Sequence, residues 1–333
     1  MRVLHLVGID DTGTARVNLL RSYPMDVSLT CEGNVDLLSL LASCDDIEVT
    51  TVPCAGRPVP PGDMPPADVV LNAVCDPDTN ARALATVDAL QRELALPAVN
   101  APERVMQTTR DGVHRLLSAH AGVRMPATIR IRPRVRNDVT AMAGTAGLGR
   151  PFLVREPGSH GGTKLALLGA GDRLDVLDQF AFDGREYYVT EFVDFRSPDG
   201  IYRKYRVIVI DGVLYPRHLV AATTWNIHAA ERAELMGDPA YQREEEEFLR
   251  GFMAADHPVF GTIASALGLD FFGVDFALDA GGNVIVFEAN ACFRVLWGGQ
   301  TESGIPSHLE SDHHIRTALV DLLRRRAGLV EHR

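Results

Sequence analysis

The 333-residue sequence predicts an α/β domain followed by a longer α+β region. Within residues 1–100, strand-like apolar runs such as 3–7 and 47–52 alternate with a helical stretch at 81–94. This alternation is typical of a small parallel α/β domain. Beyond residue 100 the pattern changes to helices and strand pairs joined by polar or glycine-rich turns, which is typical of an α+β arrangement.

The composition limits the classes of protein to which this sequence can belong. Hydrophobic residues make up 46% of the chain and its mean hydropathy is near zero, so it can bury a sizeable core. No apolar run approaches the roughly 20 residues that span a bilayer, and the first strand-like run is too short for a signal peptide. We therefore expect a soluble, cytoplasmic protein without a membrane partner.

Cysteine spacing and charge exclude further classes. The five cysteines are scattered without a C-x-x-C pair, which argues against a zinc ribbon, a redox dithiol or a secreted disulfide framework. The formal net charge is -11, and the sequence has no Lys/Arg cluster beyond 324–326. We therefore expect no nucleic-acid partner, because such partners are held largely by cations on backbone phosphates.

The loop at 8–14 follows the first predicted strand and contains two aspartates and two threonines. It lacks the glycine and lysine spacing of a nucleotide-binding loop. We interpret it as a strand-to-helix turn in which Asp or Thr caps the helix.

A glycine-rich loop follows the apolar strand that begins near residue 149. Glycines allow backbone N–H groups to approach phosphate oxygens closely, hydroxyls add donors, and an arginine at the strand end would neutralise phosphate charge. An ordinary glycine-rich turn is the alternative. The candidate phosphate-binding residues are Arg155, Gly158, Ser159, His160, Gly161, Gly162 and Thr163.

Two later strands carry polar residues that fit a nucleotide. The β-rich run at 187–194 can offer backbone groups to an adenine edge, although a core strand with a polar end would look the same. Lys204 and Arg206 share one face of the next strand at a period of two. Two cations on one face repel each other unless anions are supplied, and phosphate is a natural supply.

Residues 273–290 predict a β-hairpin, because two apolar runs flank an Asp-Ala-Gly-Gly-Asn turn. Asp275 and Glu288 then lie on neighbouring strands, and Glu288 and Asn290 point to the same face. Two carboxylates and an amide oxygen are hard ligands of the kind that Mg²⁺ prefers. The hairpin therefore predicts a magnesium site, and an ordinary hairpin with a polar rim is the alternative.

In their order along the chain, these segments resemble the ATP-grasp superfamily over about residues 101–300. The resemblance is closest to its amide-forming members, of the D-alanine–D-alanine ligase and RimK-like glutamate ligase types. It implies an ATP-grasp fold with a preceding α/β domain at 1–100, a first lobe at 101–186 and a second lobe at 187–333. It also implies ATP held between the two lobes, activation of a carboxylate as an acyl phosphate, and capture by an amine with release of ADP.

The resemblance implies a role for each matching residue. Arg155 stands where the family has a nucleotide-binding lysine, and the loop at 158–163 matches the flap over the β- and γ-phosphates. The implied ATP-binding residues are Arg155, Gly158, Ser159, His160, Gly161, Gly162, Thr163, Glu191, Phe192, Val193, Asp194, Lys204 and Arg206. The implied metal ligands are Asp275, Glu288 and Asn290, and the catalytic residues are Arg206 and Arg294.

The sequence departs from the family pattern at three places. Arg155 replaces a lysine, which keeps the charge but presents a planar fork to phosphate. The other nucleotide-binding lysine is missing, and Arg110 or Arg115 is its candidate substitute. Gly273 stands where D-alanine–D-alanine ligases place an arginine, two residues before the first metal aspartate, which weakens that particular assignment.

The predicted function is an ATP- and Mg²⁺-dependent ligase that joins a small-molecule carboxylate to an amine, such as an amino acid or a peptide. Mn²⁺ is the alternative metal, and a homodimer is a common state for such a protein. Substrate contacts are expected from His218, Trp225 and Arg294. His218 and His228 are candidate proton acceptors, and a structural histidine is the alternative. A phosphotransferase and a degenerate nucleotide-binding regulatory protein are the alternative functions.

Overall fold

The computed structural model describes residues 1–22, 25–42, 44–159, 162, 164–227, 235–252, 257–296 and 306–329. The mixed α/β and α+β organisation predicted from the sequence is confirmed, with one parallel sheet followed by antiparallel sheets. Of the predicted site residues, His160, Gly161 and Thr163 and the alternative proton acceptor His228 lie outside the described ranges.

The N-terminal domain is a parallel sheet in the order β4-β1-β5-β6. Helix α2 packs its buried residues, among them Leu84 and Val87, into this domain and ends at Ala95 in the left-handed conformation. A 3-10 turn at Pro61–Asp63 precedes β5. The elements are β1 Arg2–Gly8, β2 Arg16–Ser22, β3 Met25–Thr30, α1 Leu38–Leu41, β4 Glu48–Cys54, β5 Val69–Asn72, α2 Ala81–Leu94 and β6 Ala98–Val99.

The loop at 8–14 leads into a strand and not into the helix that the sequence predicted. Strands β2 and β3 pair as an antiparallel hairpin immediately after it. The Asp10 carboxylate accepts hydrogen bonds from the backbone amides of Thr12 and Thr14, both at 3.0 Å, and so closes a local turn. The capping function that we expected from Asp is therefore used to turn the chain into a hairpin.

The first lobe is a four-stranded antiparallel sheet in the order β7-β10-β8-β9, with its own hydrophobic core. Strand β10 lies between β7 and β8, so this sheet extends beyond the boundary at 186 that the sequence suggested. A 3-10 turn lies at Leu174–Leu177. The elements are α3 Pro102–Val105, α4 Arg110–Leu117, β7 Thr128–Ile131, α5 Arg136–Thr145, β8 Phe152–Arg155, β9 Leu165–Leu168 and β10 Tyr187–Glu191.

The second lobe is an antiparallel sheet in the order β12-β11-β13-β14, and it shares one continuous core with the N-terminal domain. The predicted hairpin at 273–290 is present as β13 and β14. Among the described residues, no helix is long and apolar enough to cross a membrane. The elements are β11 Tyr202–Ile210, β12 Val213–Ala222, α6 Pro239–Gly251, α7 Val259–Leu267, β13 Phe271–Leu278, β14 Val284–Asn290 and α8 Pro306–Arg326.

Asn100 joins the N-terminal domain to β13. Its backbone amide donates to Asp270 Oδ2 at 2.8 Å, and its side-chain Nδ2 donates to the Phe271 carbonyl at 2.7 Å. The Phe271 amide returns a hydrogen bond to Asn100 Oδ1 at 2.9 Å. Because these groups are buried and mutually satisfied, they hold the end of the parallel sheet in a fixed position beside the second lobe.

Candidate active site

Four polar side chains form a line across the second-lobe sheet. Arg206 on β11 lies opposite His218 on β12 and opposite Asp275 on β13, and Asp275 lies opposite Glu288 on β14. Residues directly opposite each other in an antiparallel sheet project from the same face. The sheet therefore brings together four of the residues that the sequence singled out, and we call them the charged row.

The centre of the charged row is a buried ion pair. Arg206 Nη2 donates to Asp275 Oδ2 at 2.8 Å, and Arg206 Nε donates to the other carboxylate oxygen. Lys204 Nζ lies 3.7 Å from Asp275 Oδ2. Burial acts to raise the pKa of Asp275, but Arg206 and Lys204 outweigh it and hold that pKa well below its usual range. In the free protein, Asp275 is thus the carboxylate that both cations face.

Glu288 is the second carboxylate of the row and is held from two directions. Arg110 Nη2, from α4 in the first lobe, donates to Glu288 Oε1 at 2.9 Å, and Asn290 Nδ2 donates to the same oxygen at 2.7 Å. The Asn290 side-chain oxygen accepts from the Cys292 amide at 2.9 Å. Arg110, one of the two candidates for the missing lysine, therefore reaches the charged row.

The donor set fits Mg²⁺. Asp275 and Glu288 face each other from neighbouring strands, with an amide side chain at the end of the same strand. The described residues contain no cluster of three or more His, Cys, Asp or Glu of the kind that encloses a metal completely. Mg²⁺ usually takes one or two carboxylates from the protein and completes its shell with waters and phosphates, so two carboxylates suffice.

The described residues of the glycine loop, 156–159, 162 and 164, follow β8. Gly158 and Gly162 adopt φ angles of +66° and +68°, which glycine tolerates without the strain that other residues incur. The Ser159 hydroxyl donates to the Glu156 carbonyl at 2.5 Å. A Cβ atom at position 158 would lie 2.4 Å from Thr79 Cγ2, so the loop packs tightly on the N-terminal domain.

Arg155, at the end of β8, turns its guanidinium onto the glycine loop. Its Nη2 donates to the Ser159 carbonyl, and its Nε donates to Ser159 Oγ at 3.4 Å. Burial and then the charge of Arg110 lower the pKa of Arg155 to about 9, while the charge of Glu288 opposes the shift. Arg155 and Arg110 therefore place like charges near each other, which a bound polyanion would relieve.

The predicted adenine hinge is partly bonded to the first lobe. The Glu191 amide donates to the Ala127 carbonyl at 2.8 Å, and the Phe192 amide donates to the Pro151 carbonyl at 3.2 Å. The Asp194 carboxylate is paired with Arg196, with Nε at 3.0 Å from both of its oxygens. Val193 lies between Phe192 and Asp194 and is half-buried.

The three predicted substrate residues, His218, Trp225 and Arg294, do not form one cluster. The Trp225 ring meets the Phe192 ring edge-on at 5.7 Å between centroids, which puts Trp225 beside the hinge. His218 lies in the charged row opposite Arg206. Arg294 is exposed in the segment that follows β14. The structure thus links His218, but not Trp225, to the carboxylates.

Three residues that the sequence analysis missed connect the N-terminal domain to the first lobe. Asp78 accepts hydrogen bonds from the Tyr188 hydroxyl at 2.7 Å and from Arg130 Nη2 at 2.7 Å. Tyr188 lies directly opposite Arg155 on the neighbouring strand. Asp78 follows β5, and the carboxyl edge of a parallel sheet is a common place for functional residues, so its position carried a usable signal.

Arg217 is a fourth residue whose role the sequence analysis did not predict. It is buried on β12, its Nε donates to the Val295 carbonyl, and its Nη2 lies 3.6 Å from Asp312 on α8. It therefore ties the segment after β14 to the sheet and to the last helix. We find no feature of the sequence that distinguishes Arg217 from a surface arginine.

Comparison with solved structures identifies the ATP-grasp fold. The chain is similar to D-alanine–D-alanine ligase from Bacillus anthracis complexed with ATP, with 13% identity, a TM-score of 0.55 and coverage of 98% of this chain and 97% of that one. A RimK domain ATP-grasp protein from Sphaerobacter thermophilus gives 16% identity, a TM-score of 0.55 and coverage of 97% and 99%. D-cycloserine synthetase DcsG gives 17% identity, a TM-score of 0.52 and coverage of 96% and 99%.

The sequence comparisons give no closer relation. No protein-family model matches the chain, and no curated protein matches it. At 13–17% identity the structural likeness establishes the fold, with a preceding α/β domain and two lobes, and the chemistry must be argued from the residues of the site.

Proposed function

We propose that this protein is an ATP- and Mg²⁺-dependent ligase that joins a carboxylate to an amine through an acyl phosphate and releases ADP and phosphate. The observation that carries the proposal is the convergence of opposite charges from both lobes. Asp275 and Glu288 supply two carboxylates, while Arg110 and Arg206 contact them as cations. This arrangement suits a metal-bound triphosphate, since it holds both the metal ligands and the groups that neutralise phosphate.

Arg155 and the glycine loop would hold the phosphate chain. The guanidinium now bonded to the Ser159 carbonyl is free to exchange that neutral acceptor for an anionic oxygen, which forms a stronger, charge-assisted hydrogen bond. The hinge at 191–194 would hold the base and the ribose. In this proposal Trp225 supports the hinge through its contact with Phe192 and does not line the substrate pocket.

The metal would be held by Asp275 and Glu288, with Asn290 as a third candidate ligand. When bound, Mg²⁺ would offset phosphate charge and orient the γ-phosphoryl group, and Mn²⁺ is the alternative ion. Arg206 and Lys204 lie beside Asp275, so they would be released in part to the phosphates as the metal takes up the carboxylate charge. This exchange keeps the buried charges paired at each stage.

The reaction would proceed in two displacements. A carboxylate oxygen of the first substrate attacks the γ-phosphorus and the bond to the β-phosphate oxygen breaks, giving an acyl phosphate and ADP. The amine then attacks the acyl carbon, phosphate leaves with the carbon–oxygen electron pair, and the amine loses a proton. Arg206 would stabilise the transferring phosphoryl group, His218 would accept the proton, and Arg294 would bind a substrate carboxylate.

The first test is a screen for ADP release over pools of carboxylates and amino acids with Mg²⁺, followed by mass analysis of the products. A carboxylate labelled with ¹⁸O should transfer one labelled oxygen to the released phosphate, because the acyl phosphate retains it. A phosphorylated product without amide would instead identify a phosphotransferase. ATP binding without any ADP release would identify a regulatory nucleotide-binding protein.

The matched variants are Glu288→Gln and Glu93→Gln. Glu93 is exposed on α2, far along the chain from the site, and serves as the control for loss of a carboxylate. We expect Glu288→Gln to slow ADP release by at least about a hundredfold, as for loss of one preorganised electrostatic contact. Full activity in a folded Glu288→Gln sample would contradict the metal assignment.

The proposal also sets expectations for the cellular context. ATP, Mg²⁺ and free amino acids or peptides as substrates are all supplied in the cytoplasm, where we place the enzyme. A homodimer is our proposed oligomeric state, and sedimentation analysis of the purified protein would test it.

A further inference from the structure

One carboxylate of the N-terminal domain is bonded to two strands of the first lobe. The Tyr188 hydroxyl on β10 lies 2.8 and 2.7 Å from the two oxygens of Asp78, to which it donates. Arg130 Nη2 on β7 donates to Asp78 Oδ1 at 2.7 Å. Only 8% of the Asp78 side chain is exposed, and Tyr188 is 1% exposed. These three residues, which we call the Asp78 cluster, thus form a buried charged contact between two domains.

The fold of the N-terminal domain holds Asp78 in place for this contact. Asp78 follows β5, an inner strand of the parallel sheet, and its backbone amide donates to Asp76 Oδ1 at 2.9 Å. The Asn80 amide donates to the Asp76 carbonyl at 2.9 Å. Because Asp76 and Asn80 are themselves buried, the turn presents the Asp78 carboxylate to the first lobe in a fixed position.

Arg130 holds the Tyr188 side chain in the cluster. Its guanidinium carbon lies 4.7 Å from the centre of the Tyr188 ring, and its Nη1 donates to Glu186 Oε2 at 2.5 Å. Its Nη2 also donates to Asp111 Oδ1 at 3.1 Å. Burial and then the charge of Asp78 raise the pKa of Tyr188, so its hydroxyl stays protonated and donates to the carboxylate. Such charge-assisted hydrogen bonds are stronger than neutral ones.

The Asp78 cluster lies directly beside the proposed phosphate-binding side of the site. Tyr188 on β10 lies opposite Arg155 on β8, and residues directly opposite each other project from the same face of a sheet. Thr79, the residue after Asp78, packs against Gly158, where a Cβ atom would lie 2.4 Å from Thr79 Cγ2. The same turn of the N-terminal domain therefore supports the strand pair that carries Arg155 and the start of the glycine loop.

We propose that the Asp78 cluster positions Arg155 for ATP, so that Asp78 is a positioning residue of a nucleotide site in another domain. The inference rests on the proposed ATP site. A guanidinium whose supporting strand is already fixed loses less freedom when it meets a phosphate oxygen, which makes binding tighter. The cluster fixes this strand against the N-terminal domain before any nucleotide arrives.

The first test measures ATP affinity by calorimetry with Mg²⁺. Asp78→Ala removes the acceptor of the bonds from Tyr188 and Arg130, and we expect the dissociation constant to rise at least roughly tenfold, as for loss of a hydrogen bond to a charged group. The control is Asp88→Ala, which removes a carboxylate that pairs with Arg92 at 2.8 Å within α2 and should bind ATP like the wild type. Unchanged affinity in Asp78→Ala would overturn the proposal.

Tyr188→Phe is a milder second variant, because it removes one hydroxyl and keeps the ring beneath Arg130. We expect the dissociation constant of ATP to rise roughly three- to tenfold. The matched control is Tyr187→Phe, on the same strand, whose hydroxyl donates to the Ala181 carbonyl at 2.7 Å inside the first lobe. Its affinity should stay within about twofold of the wild type, and equal effects of the two variants would contradict a role for the contact between domains.

A double-variant cycle separates positioning from a general effect on the fold. If the cluster acts through Arg155, adding Asp78→Ala to Arg155→Met should change the dissociation constant of ATP by less than about twofold. A contribution to the fold alone would instead weaken binding equally in both backgrounds. A further tenfold loss in the double variant would therefore overturn the positioning of Arg155.

Small-angle X-ray scattering of the free protein tests the contact without nucleotide. We expect a larger radius of gyration in Asp78→Ala than in the wild type and Asp88→Ala, because the first lobe moves away from the N-terminal domain. An unchanged radius would contradict a cluster that fixes the lobe. A wild type that shows this difference but binds no ATP would contradict the proposed function, whereas equal ATP affinity of the wild type and Asp78→Ala would contradict only the role of the cluster.

Discussion

The charged row and the glycine loop hold the cations of the site in two different electrostatic states. In the row, Arg206 contacts the Asp275 carboxylate and Arg110 contacts Glu288. On the loop side, Arg155 is bonded to an uncharged carbonyl and a hydroxyl of Ser159, and no carboxylate of the described residues lies within salt-bridge distance of it. On one side the cations contact carboxylates of the protein, and on the other Arg155 contacts only uncharged groups of Ser159.

The difference assigns different tasks to the two sides. The row crosses all four paired strands of a sheet that shares its core with the N-terminal domain, so it is a preformed and stable part of the site. The loop connects two short strands of a lobe with its own separate core, and it gains a charged partner only when an anion arrives. We therefore expect substitutions in the row to affect stability as well as activity, and substitutions in the loop to affect mainly nucleotide affinity.

The largest effect should come from Asp275→Asn. This change leaves Arg206 and Lys204 without their carboxylate in a buried position, and breaking a buried pair in this way typically costs about 3–5 kcal/mol of stability. Urea unfolding of the variant measures the loss, and Asp183→Asn, in an exposed pair with Arg185, is the control. A variant as stable as the wild type would show that the charged row does not stabilise the fold.

Acid should remove the same contribution in the wild type. The pKa of Asp275 is lowered in the folded protein, so its stabilising effect is present above its ordinary value near pH 4 and is lost as the pH falls further. The difference in unfolding free energy between the wild type and Asp275→Asn should therefore shrink below about pH 4. A constant difference down to pH 2 would contradict an ionised Asp275 at the centre of the row.

On the loop side, Arg155→Met should raise the dissociation constant of ATP by roughly ten- to a hundredfold. Stability should stay within about 1 kcal/mol of the wild type, because the change removes a partly buried cation that has no charged partner among the residues that the structure describes. Arg206→Met is the matched variant and should lose several times more stability, since it leaves Asp275 uncompensated. Equal losses of stability in the two variants would remove the contrast between the two sides.

A smaller effect is expected from Gly158→Ala. The φ of +66° strains any side chain by about 1–3 kcal/mol, and the new Cβ would meet Thr79 Cγ2. We expect weaker ATP binding because the loop must move away from the N-terminal domain. The double variant with Thr79→Ser, which removes that methyl group, should recover part of the affinity, and no recovery would show that the contact with Thr79 is unimportant.

Local patterns in the sequence were sufficient to predict the hairpin at 273–290. They were also sufficient to place Lys204 and Arg206 on the same face of one strand. Both depend on the period-two alternation of strands, which a single segment reveals. The alternation does not show which strand lies next to which. The sequence therefore suggested phosphate as the partner of Arg206, whereas strand order places Asp275 beside it.

Long-range packing also sets contacts that the local sequence does not reveal. The acidic run at 244–247 has the composition of an exposed helix face, yet Glu245 is fully buried and its Oε1 lies 2.9 Å from His308 Nε2. Asp78 and Arg130 form an ion pair between separate domains, and neither has a local partner that would reveal it. Contacts of this kind depend on the tertiary arrangement and leave no periodic signal in either segment.

The central claim is that one metal-bound ATP spans both sides of the site, and calorimetric titration of ATP with Mg²⁺ tests it most directly. We expect the wild type to bind one ATP per chain, with weaker binding in Glu288→Gln and in Arg155→Met and with unchanged binding in the control Glu93→Gln. A wild type that does not bind ATP, or an Arg155→Met variant that binds it as tightly as the wild type, would contradict the claim.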